Sequence, residues 1–389
     1  MGAKYVKLAL AAATVVPAVT ALGKIYGDTP DAKHAWAVHD WNRPKPVKVE
    51  PAARCGGAPS DAVVLFDGSR ESFERNWCDK KGEPSRWKLG TEGDFYCEPG
   101  WKSGSIFTRA KFGDCQLHLE YRHDADIGDL GKGPQMRGNS GVFLMNQYEL
   151  QVLESYYTHR DGAKSDKYVD NYADGVAGSV YAENPPLVNP QRKPGEWQTY
   201  DIVFHQPVWD GDKLLHPGSV TLFFNGVLVQ DHWEMEGLTT HCKRRPLAPH
   251  DRVGPLSFQD HGCAVHFRNV WYRPLPSRWD NKTHSSLSAD PDEVMKLRRE
   301  TAATLFAKIS DPKKADVATL LALGEVISYA NEAPYRDAFD ACLAACRTTL
   351  DDKAKAAANK GLDVLVRNKV TPASVLFEVK ASAKKTVKK

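Results

Sequence analysis

Between residues 61 and 277, apolar and polar side chains alternate in short runs separated by turn-forming residues. The runs fall at 62–66, 115–123, 141–145, 148–153, 197–205, 219–224, 227–230 and 264–272. Alternation of this length predicts strands, and many short strands between turn signals predict a sandwich or barrel. Phe224-Asn225-Gly226-Val227 predicts a two-residue hairpin, because Asn-Gly accepts the positive φ such a turn needs. No helical period separates these runs, which disfavours a parallel α/β sheet.

The pattern changes after residue 285. Asp290-Pro291-Asp292-Glu293 carries a cap, a proline at the first helical position and a capping-box Glu. Val294, Leu297, Leu305 and Ile309 follow at helical spacing, Asp311-Pro312 repeats the start signal, and further helices are predicted at 333–350 and 352–368. The expected architecture is therefore mainly β, with a small C-terminal α-helical domain over 285–380 and a basic tail over 381–389. Residues 24–60, rich in Pro, Asp, Lys and Ala, read as an extended linker or arm, with Trp36 and Trp41 indicating that it packs. Residues 1–23 read as an export signal: Lys4 and Lys7, then an apolar run from Leu8 to Leu22, then small residues at Ala21-Leu22-Gly23. The run is shorter than the roughly 20 residues of a membrane span. The expected location is thus periplasmic or secreted, with no membrane span after cleavage.

Composition adds a few limits. A net charge of +3 over 389 residues is too small to suggest a nucleic-acid partner. Ten Trp, fourteen Tyr and fourteen Phe suit a β core and also suit stacking on sugar faces. Eight cysteines contain no CxxC pair, so a zinc ribbon is not indicated, although an exported chain permits disulfides. Cys342 and Cys346 lie one helical turn apart and read as small buried residues.

Side-chain alternation also sorts the polar groups. Gln116, His118, Glu120 and Arg122 share one face of a strand, and Leu117, Leu119 and Tyr121 share the other. Glu149 and Gln151 oppose Leu150 and Val152; Gln259 goes with His261, and His266 with Arg268. If the polar faces of these four strands coincide, they line a concave groove able to bind several hydroxyls at once. The alternative is a solvated outer face.

Several segments occur in a telling order: Leu65-Phe66-Asp67-Gly68, Asn139-Ser140-Gly141-Val142-Phe143-Leu144, Tyr148-Glu149-Leu150-Gln151-Val152-Leu153-Glu154, Gly195-Glu196-Trp197-Gln198-Thr199-Tyr200-Asp201-Ile202, Gly254-Pro255-Leu256-Ser257-Phe258-Gln259-Asp260-His261-Gly262, and Val265 to Leu275. Residues 61–276 thereby resemble the 3-keto-disaccharide hydrolase domain family. The resemblance implies a concanavalin A-like jelly roll and activity on glycosides already oxidised to a ketone at carbon 3. Such a ketone acidifies the C2 hydrogen, so a base can remove it, the C1 substituent leaves and water adds back. That route needs a base, a donor at the ketone oxygen and an acid at the leaving oxygen. Glu149, His118 and Glu120 are the candidates for acid and base. Arg137, Arg268 and Gln259 are candidate donors, and Asn139, Gln151 and His261 would orient the sugar. A divalent metal held by His and Glu would polarise the ketone, but no spacing establishes such a site.

Competing readings attach to the same residues. Asp260 and His261 could build a turn, Glu120 and Arg122 could form a structural ion pair, and Arg137-Gly138-Asn139 could set a tight turn. Glu149-x-Gln151-x-x-Glu154 resembles the Glu-x-Asp-x-x-Glu motif of retaining β-glucanases, with Gln151 where the middle Asp would stand and Glu154 on the Leu150 side unless a bulge intervenes. A non-catalytic carbohydrate-binding module would need the groove without the acid and base. Residues 124–136 and 156–174 read as insertions beside the groove.

Overall fold

The computed structural model describes residues 27–125, 133–157, 171–276 and 291–379. The expected export signal, the basic tail and much of both insertions lie outside the described residues. The chain divides into two compact units, Val47–Ser277 and the combination of Met1–Pro46 with Arg278–Lys389.

The first unit is a jelly-roll sandwich of antiparallel sheets. Among the described residues its wide sheet runs in the order β13 (Val227–Glu234), β12 (Ser219–Phe224), β9 (Gln198–His205), β6 (Cys115–His123), β15 (Val265–Pro274), β4 (Phe95–Tyr96) and β3 (Lys88–Leu89), with β1 (Val63–Phe66) also paired to β15. The narrow sheet runs β2 (Trp77–Cys78), β5 (Ile106–Phe112), β14 (Gly254–Phe258), β7 (Ser140–Leu144) and β8 (Tyr148–Val152). A helix, α1 (Arg70–Asn76), follows β1, and β10 (Val208–Asp210) pairs with β11 (Lys213–His216) as a separate hairpin. The turn between β12 and β13 holds Asn225 at φ 51° and Gly226 at φ 78°, the left-handed pair that Asn-Gly predicts.

Between the sheets lies one aromatic core. From the wide sheet come Leu117, Leu119, Tyr121, Tyr200 and Phe267; from the narrow sheet come Tyr148, Leu150, Val152, Leu256 and Phe258. Phe95 is its hub, with ring centroids of Phe66, Phe73, Trp77 and Trp87 at 4.8–5.8 Å and those of Phe258 and Phe267 at 6.1 Å. Phe258 and Phe267 stack across the two sheets at 4.2 Å.

The second unit packs α2 (Pro291–Phe306), α3 (Val317–Tyr329), α4 (Tyr335–Thr349) and α5 (Asp352–Arg367) around Leu320, Leu323, Phe339, Cys342, Cys346 and Leu362. Asp351 caps α5, its side chain accepting from Ala354 N at 2.7 Å. Asp311-Pro312 does not open a helix: Asp311 accepts from Lys313 N in a turn, and α3 starts instead behind Asp316, which accepts from Thr319 N at 2.8 Å. Two Asp residues thus compete as caps, and the one beside the apolar run 317–327 wins because burial rewards it.

The segment expected as one arm, 24–60, is shared between the units. Ala35 and Trp36 are buried with Val294, Leu305 and Tyr329 of the helical unit, and Asn42 Nδ2 donates to Glu325 at 2.8 Å. Residues from Val47 onward belong with the sandwich, where Gly56 O accepts from Asn269 Nδ2 and Trp271 Nε1. The eight cysteines are free thiols; Cys342 and Cys346, with sulfurs 4.0 Å apart, fill the helical core as small side chains.

Because six rings converge on it, Phe95→Ala is expected to destabilise the sandwich by about 3–5 kcal/mol. Urea unfolding followed by tryptophan fluorescence checks this, and a loss below about 1 kcal/mol would contradict a packed hub, since that is less than the transfer term.

Candidate active site

Alternation and the common core together decide where the polar candidates go. Leu117, Leu119 and Tyr121 of β6 point inward, so His118 and Glu120 point out from the wide sheet. Tyr148, Leu150 and Val152 of β8 also point inward, so Glu149 and Gln151 point out from the narrow sheet. The expected convergence of Glu149, His118 and Glu120 therefore does not occur. The three lie on opposite outer faces, and Arg268 goes with Glu120. The strand pattern names the polar face of each strand but not the sheet the strand joins.

On the wide sheet the cluster satisfies itself. Asp201 Oδ1 lies 2.6 Å from His118 Nδ1, and Arg268 Nε donates to Glu120 Oε2 at 2.6 Å. A register shift between Arg268 and Trp271 leaves Asn269 at φ 48°. From there Asn269 Nδ2 reaches Glu120 Oε1 at 2.8 Å and His118 Nε2 at 3.2 Å. Gly56, at φ 74°, closes over the imidazole so tightly that a Cβ there would lie 3.0 Å from His118 Cε1. Arg268 also stacks on Trp197, 3.9 Å from the ring centre. Burial would raise the Glu120 carboxyl, but hydrogen bonds from His118, Asn269 and Arg268 outweigh it and hold it down at about 2. Burial lowers His118, and the Asp201 and Glu120 bonds more than restore it, leaving its pKa above the ordinary value. A carboxylate and imidazole this fully committed serve the fold. The expected Glu120–Arg122 pair is replaced by Glu120–Arg268, and Arg122 turns to Glu92 at 3.4 Å.

The narrow sheet presents a different face. Glu149 stands opposite Phe143, and Gly141 opposite Gln151. A Cβ on residue 141 would come within 2.3 Å of Glu149 Oε1, so glycine there gives the carboxyl its room. Backbone contacts hold the strand: Glu149 N donates to Thr239 Oγ1 at 2.8 Å, and Tyr181 N to Glu149 O at 3.0 Å. The Gln151 amide nitrogen faces Ser140 O at 3.1 Å and Glu149 Oε1 at 3.2 Å; turned over, its oxygen would face acceptors alone. Glu149 is only 5 % exposed, and burial, with no cation among the described residues to offset it, pushes its carboxyl up to about 8.

Around it stand groups that strand alternation does not reveal. Tyr181 Oη lies 2.9 Å from His241 Nδ1 and 3.1 Å from Tyr172 Oη, and Cys242 Sγ lies 3.1 Å from His241 Nε2. Burial raises both phenols, and the nearby Glu149 charge adds to it. Asn139 Nδ2 donates to Gln135 O at 2.6 Å, while Gln135 Nε2 reaches Asn171 and the Gly175 carbonyl. Gln259 N donates to Gly141 O at 3.1 Å, which sets Gln259 beside the same strand. His261 is lowered by burial and feels the His241 charge; its Nδ1 has no hydrogen-bond partner. Trp101, 58 % exposed, lies 4.6 Å from the His261 ring. Asp260 is no mere turn residue: its Oδ2 accepts from Ser103 N and Gly104 N and so fixes the loop that carries Trp101.

Of the predicted residues, Glu149, Asn139, Gln151, Gln259 and His261 thus gather on the narrow sheet. Arg137 does not join them as a donor: its Nη2 pairs with Glu154 Oε2 at 2.6 Å, both side chains being buried. Glu154 keeps to the Leu150 side, where its charge reaches Tyr121 in the core, so it does not face Glu149 as a retaining pair would. Burial raises Glu154, and Arg137 partly offsets this. Tyr172 comes from the 156–174 insertion read as lying beside the groove, whereas Tyr181, His241 and Trp101 come from other loops that strand alternation does not mark. Among the described residues no three His, Cys, Asp or Glu side chains gather as metal ligands.

The two carboxyls give opposite stability signatures. Glu120 is depressed, so its contribution is present above the unfolded value of 4.5 and disappears as pH falls towards about 2. Glu120→Gln is expected to cost about 1.5–3 kcal/mol at neutral pH, with the difference from wild type closing in acid. Denaturant midpoints measured across that range check it; a pH-independent difference would contradict the ionic origin.

Residues 61–273 match the family described as 3-keto-alpha-glucoside-1,2-lyase-like domain. The chain is similar to a provisionally assigned glycosyl hydrolase from Parabacteroides distasonis ATCC 8503, with 35% identity over 62% of this chain and 98% of that one, at a TM-score of 0.53. A second provisionally assigned glycosyl hydrolase from the same organism shares 19% identity over 59% of this chain and 100% of that one, at a TM-score of 0.39. No curated protein matches the chain at a significant level. With more than half its length inside the matched domain, the chain belongs to the 3-keto-alpha-glucoside-1,2-lyase-like domain family and is a carbohydrate-active enzyme.

Proposed function

We propose that this enzyme cleaves the glycosidic bond of 3-keto-glycosides by elimination followed by hydration, with Glu149 as the base. The observation that carries the reading is the Glu149 carboxyl, buried, with no cation beside it among the described residues, and pushed up to about 8. An ordinary carboxylate is a weak base towards carbon. One whose charge is destabilised by burial holds a proton far more tightly, closer to what a C–H beside a ketone requires.

Glu149 takes the C2 proton, and the electron pair passes into the C2–C3–O enolate. The pair then forms the C1–C2 double bond as the C1–O bond to the leaving group breaks. Tyr181, whose phenol burial keeps protonated, gives its proton to the leaving oxygen. Water adds hydroxyl at C1 and hydrogen at C2, so one water is consumed overall. His261 and Gln259 would donate to sugar oxygens, and Trp101 would stack on a sugar face. Arg268, His118 and Glu120 have no part in this scheme. Export is part of the same proposal, resting on the basic start and apolar run of residues 4–23. N-terminal sequencing of the protein recovered outside the cytoplasm should begin after Gly23, and recovery of intact Met1 would oppose it.

Glu149→Gln is expected to lower kcat on a 3-keto-disaccharide by about a thousandfold or more, as loss of a general base does, with the circular dichroism spectrum unchanged. The parent, unoxidised disaccharide should not be cleaved; its hydrolysis at a comparable rate would refute the elimination route. Because a base must be deprotonated, wild-type kcat/KM should rise with pH and level off above about 8.

Stability should show the reverse sense. A carboxyl raised from 4.5 to about 8 favours folding while protonated, so wild type should lose roughly 1.4 kcal/mol per pH unit relative to Glu149→Gln between those values. Tm measured for both proteins from pH 4 to 9 tests the sign.

A further inference from the structure

The segment from Glu236 to Pro246 builds a second wall next to this site. Gly237 bridges to Pro246, and Leu238 N donates to Arg245 O at 2.9 Å. A Cβ on Gly237 would lie 2.3 Å from Arg245 O, so the loop closes on itself more tightly than any side chain allows. The same loop is sewn to β8: Thr239 N donates to Gln147 O at 3.1 Å, and Thr239 Oγ1 accepts from Glu149 N. Its His241 supports the Tyr181 hydroxyl.

Against this loop lies a pocket of about 290 Å³, and Tyr181 is in its lining as well as in the Glu149 site. Ala182, Leu238 and Pro246 supply apolar surface; Lys243, Arg244 and Arg245 supply three cations. The lining carboxylates are occupied. Glu236 lies 3.7 Å from Arg244, and Glu183 accepts from Trp233 Nε1 at 3.3 Å and Glu236 N at 3.2 Å. Among the described residues, Lys243 and Arg245 face no carboxylate within ion-pair distance. The volume sits at the small end of ligand pockets, enough for about one six-membered ring.

We infer that this pocket is the leaving-group subsite and that it selects a single ring bearing an anionic substituent. The inference rests on the proposed reaction, in which Tyr181 protonates the leaving oxygen: the departing group must sit next to Tyr181, and this pocket shares Tyr181 with the Glu149 site. An apolar lining with unpaired cations at its side matches a ring face joined to a carboxylate or sulfate. Such a ring could be an aromatic acid or a uronic acid, and the two are separable by experiment.

The test compares para-carboxyphenyl 3-keto-glucoside with its methyl ester, and a 3-keto-disaccharide whose leaving sugar is glucuronic acid with one whose leaving sugar is glucose. In the full-length protein at low salt, KM should be about fivefold or more lower for at least one acid than for its neutral partner, as expected for attraction to exposed cations. The preference should shrink as salt is added. In the double variant Lys243→Ala/Arg245→Ala the ratio should fall to about one, as expected if those cations provide it. The acid pair that shows the preference identifies the ring. Equal KM values in both pairs, or a preference that survives the double variant, would overturn the inference while leaving the elimination reaction intact. If no 3-keto substrate turns over, the reaction itself fails, and calorimetry with unoxidised para-carboxyphenyl glucoside and its ester still decides the pocket. Tighter binding of the acid, lost in the double variant, supports it; equal binding of the two refutes it.

Discussion

The aromatic core between the two sheets is the constraint on which the chemistry depends. Phe95, Phe258 and Phe267 meet where the sheets face each other, and Leu117, Leu119, Tyr148 and Leu150 fill the same layer. Once those side chains point inward, every second residue of each strand must point outward, and the two outward faces diverge. A sandwich of this kind has two separate polar surfaces. Chemistry can be assembled on either, but not from both.

The contrast between Glu120 and Glu149 follows from that division. Both are glutamates in mid-strand with apolar neighbours on either side in sequence. On the wide sheet, the bulge at Asn269 and the Gly56 segment bring donors and a guanidinium to Glu120, and the carboxyl is held down at about 2. On the narrow sheet, Glu149 meets a glycine, a phenylalanine and the amide of Gln151, and burial dominates. The first arrangement stabilises charge and spends the residue on the fold. The second leaves a carboxyl whose proton affinity is high, as the proposed base requires. An electrostatic environment, more than residue type, separates the structural acid Glu120 from the proposed base Glu149.

Much of this was legible in sequence where the signal is local. Asn225-Gly226 turned as its backbone preferences require, the strands at 115–123 and 148–152 formed with the inward faces their alternation indicates, and Glu149 with Gln151 shared an outward face. The family motifs likewise pointed to residues 61–276, against a match at 61–273. Non-local facts were not legible. Which sheet β6 and β8 would join depends on pairings between segments far apart in the chain, so His118 and Glu149 looked like partners. Arg137 read as a free donor because its partner Glu154 lies seventeen residues on, across a strand pair. Asp311-Pro312 carried a good helix-start signal and lost to Asp316, because only the packed apolar face of α3 could decide between them.

The loop from 237 to 246 shows why the site needed more than its strands. A strand can present Glu149, but a strand's own neighbours on that face lie at fixed positions along the sheet and cannot cap it. Thr239, taking the Glu149 amide proton, fastens the loop to β8, and His241 then meets Tyr181 from the other side. The loop's self-closure at Gly237 holds the Arg245 backbone against the loop's own start. One loop therefore carries both His241, which meets the proposed proton donor Tyr181, and the cations of the proposed subsite. In the proposed reaction, a change in the loop that moved Tyr181 would shift the cations with it, so the rate and the choice of leaving group would change together.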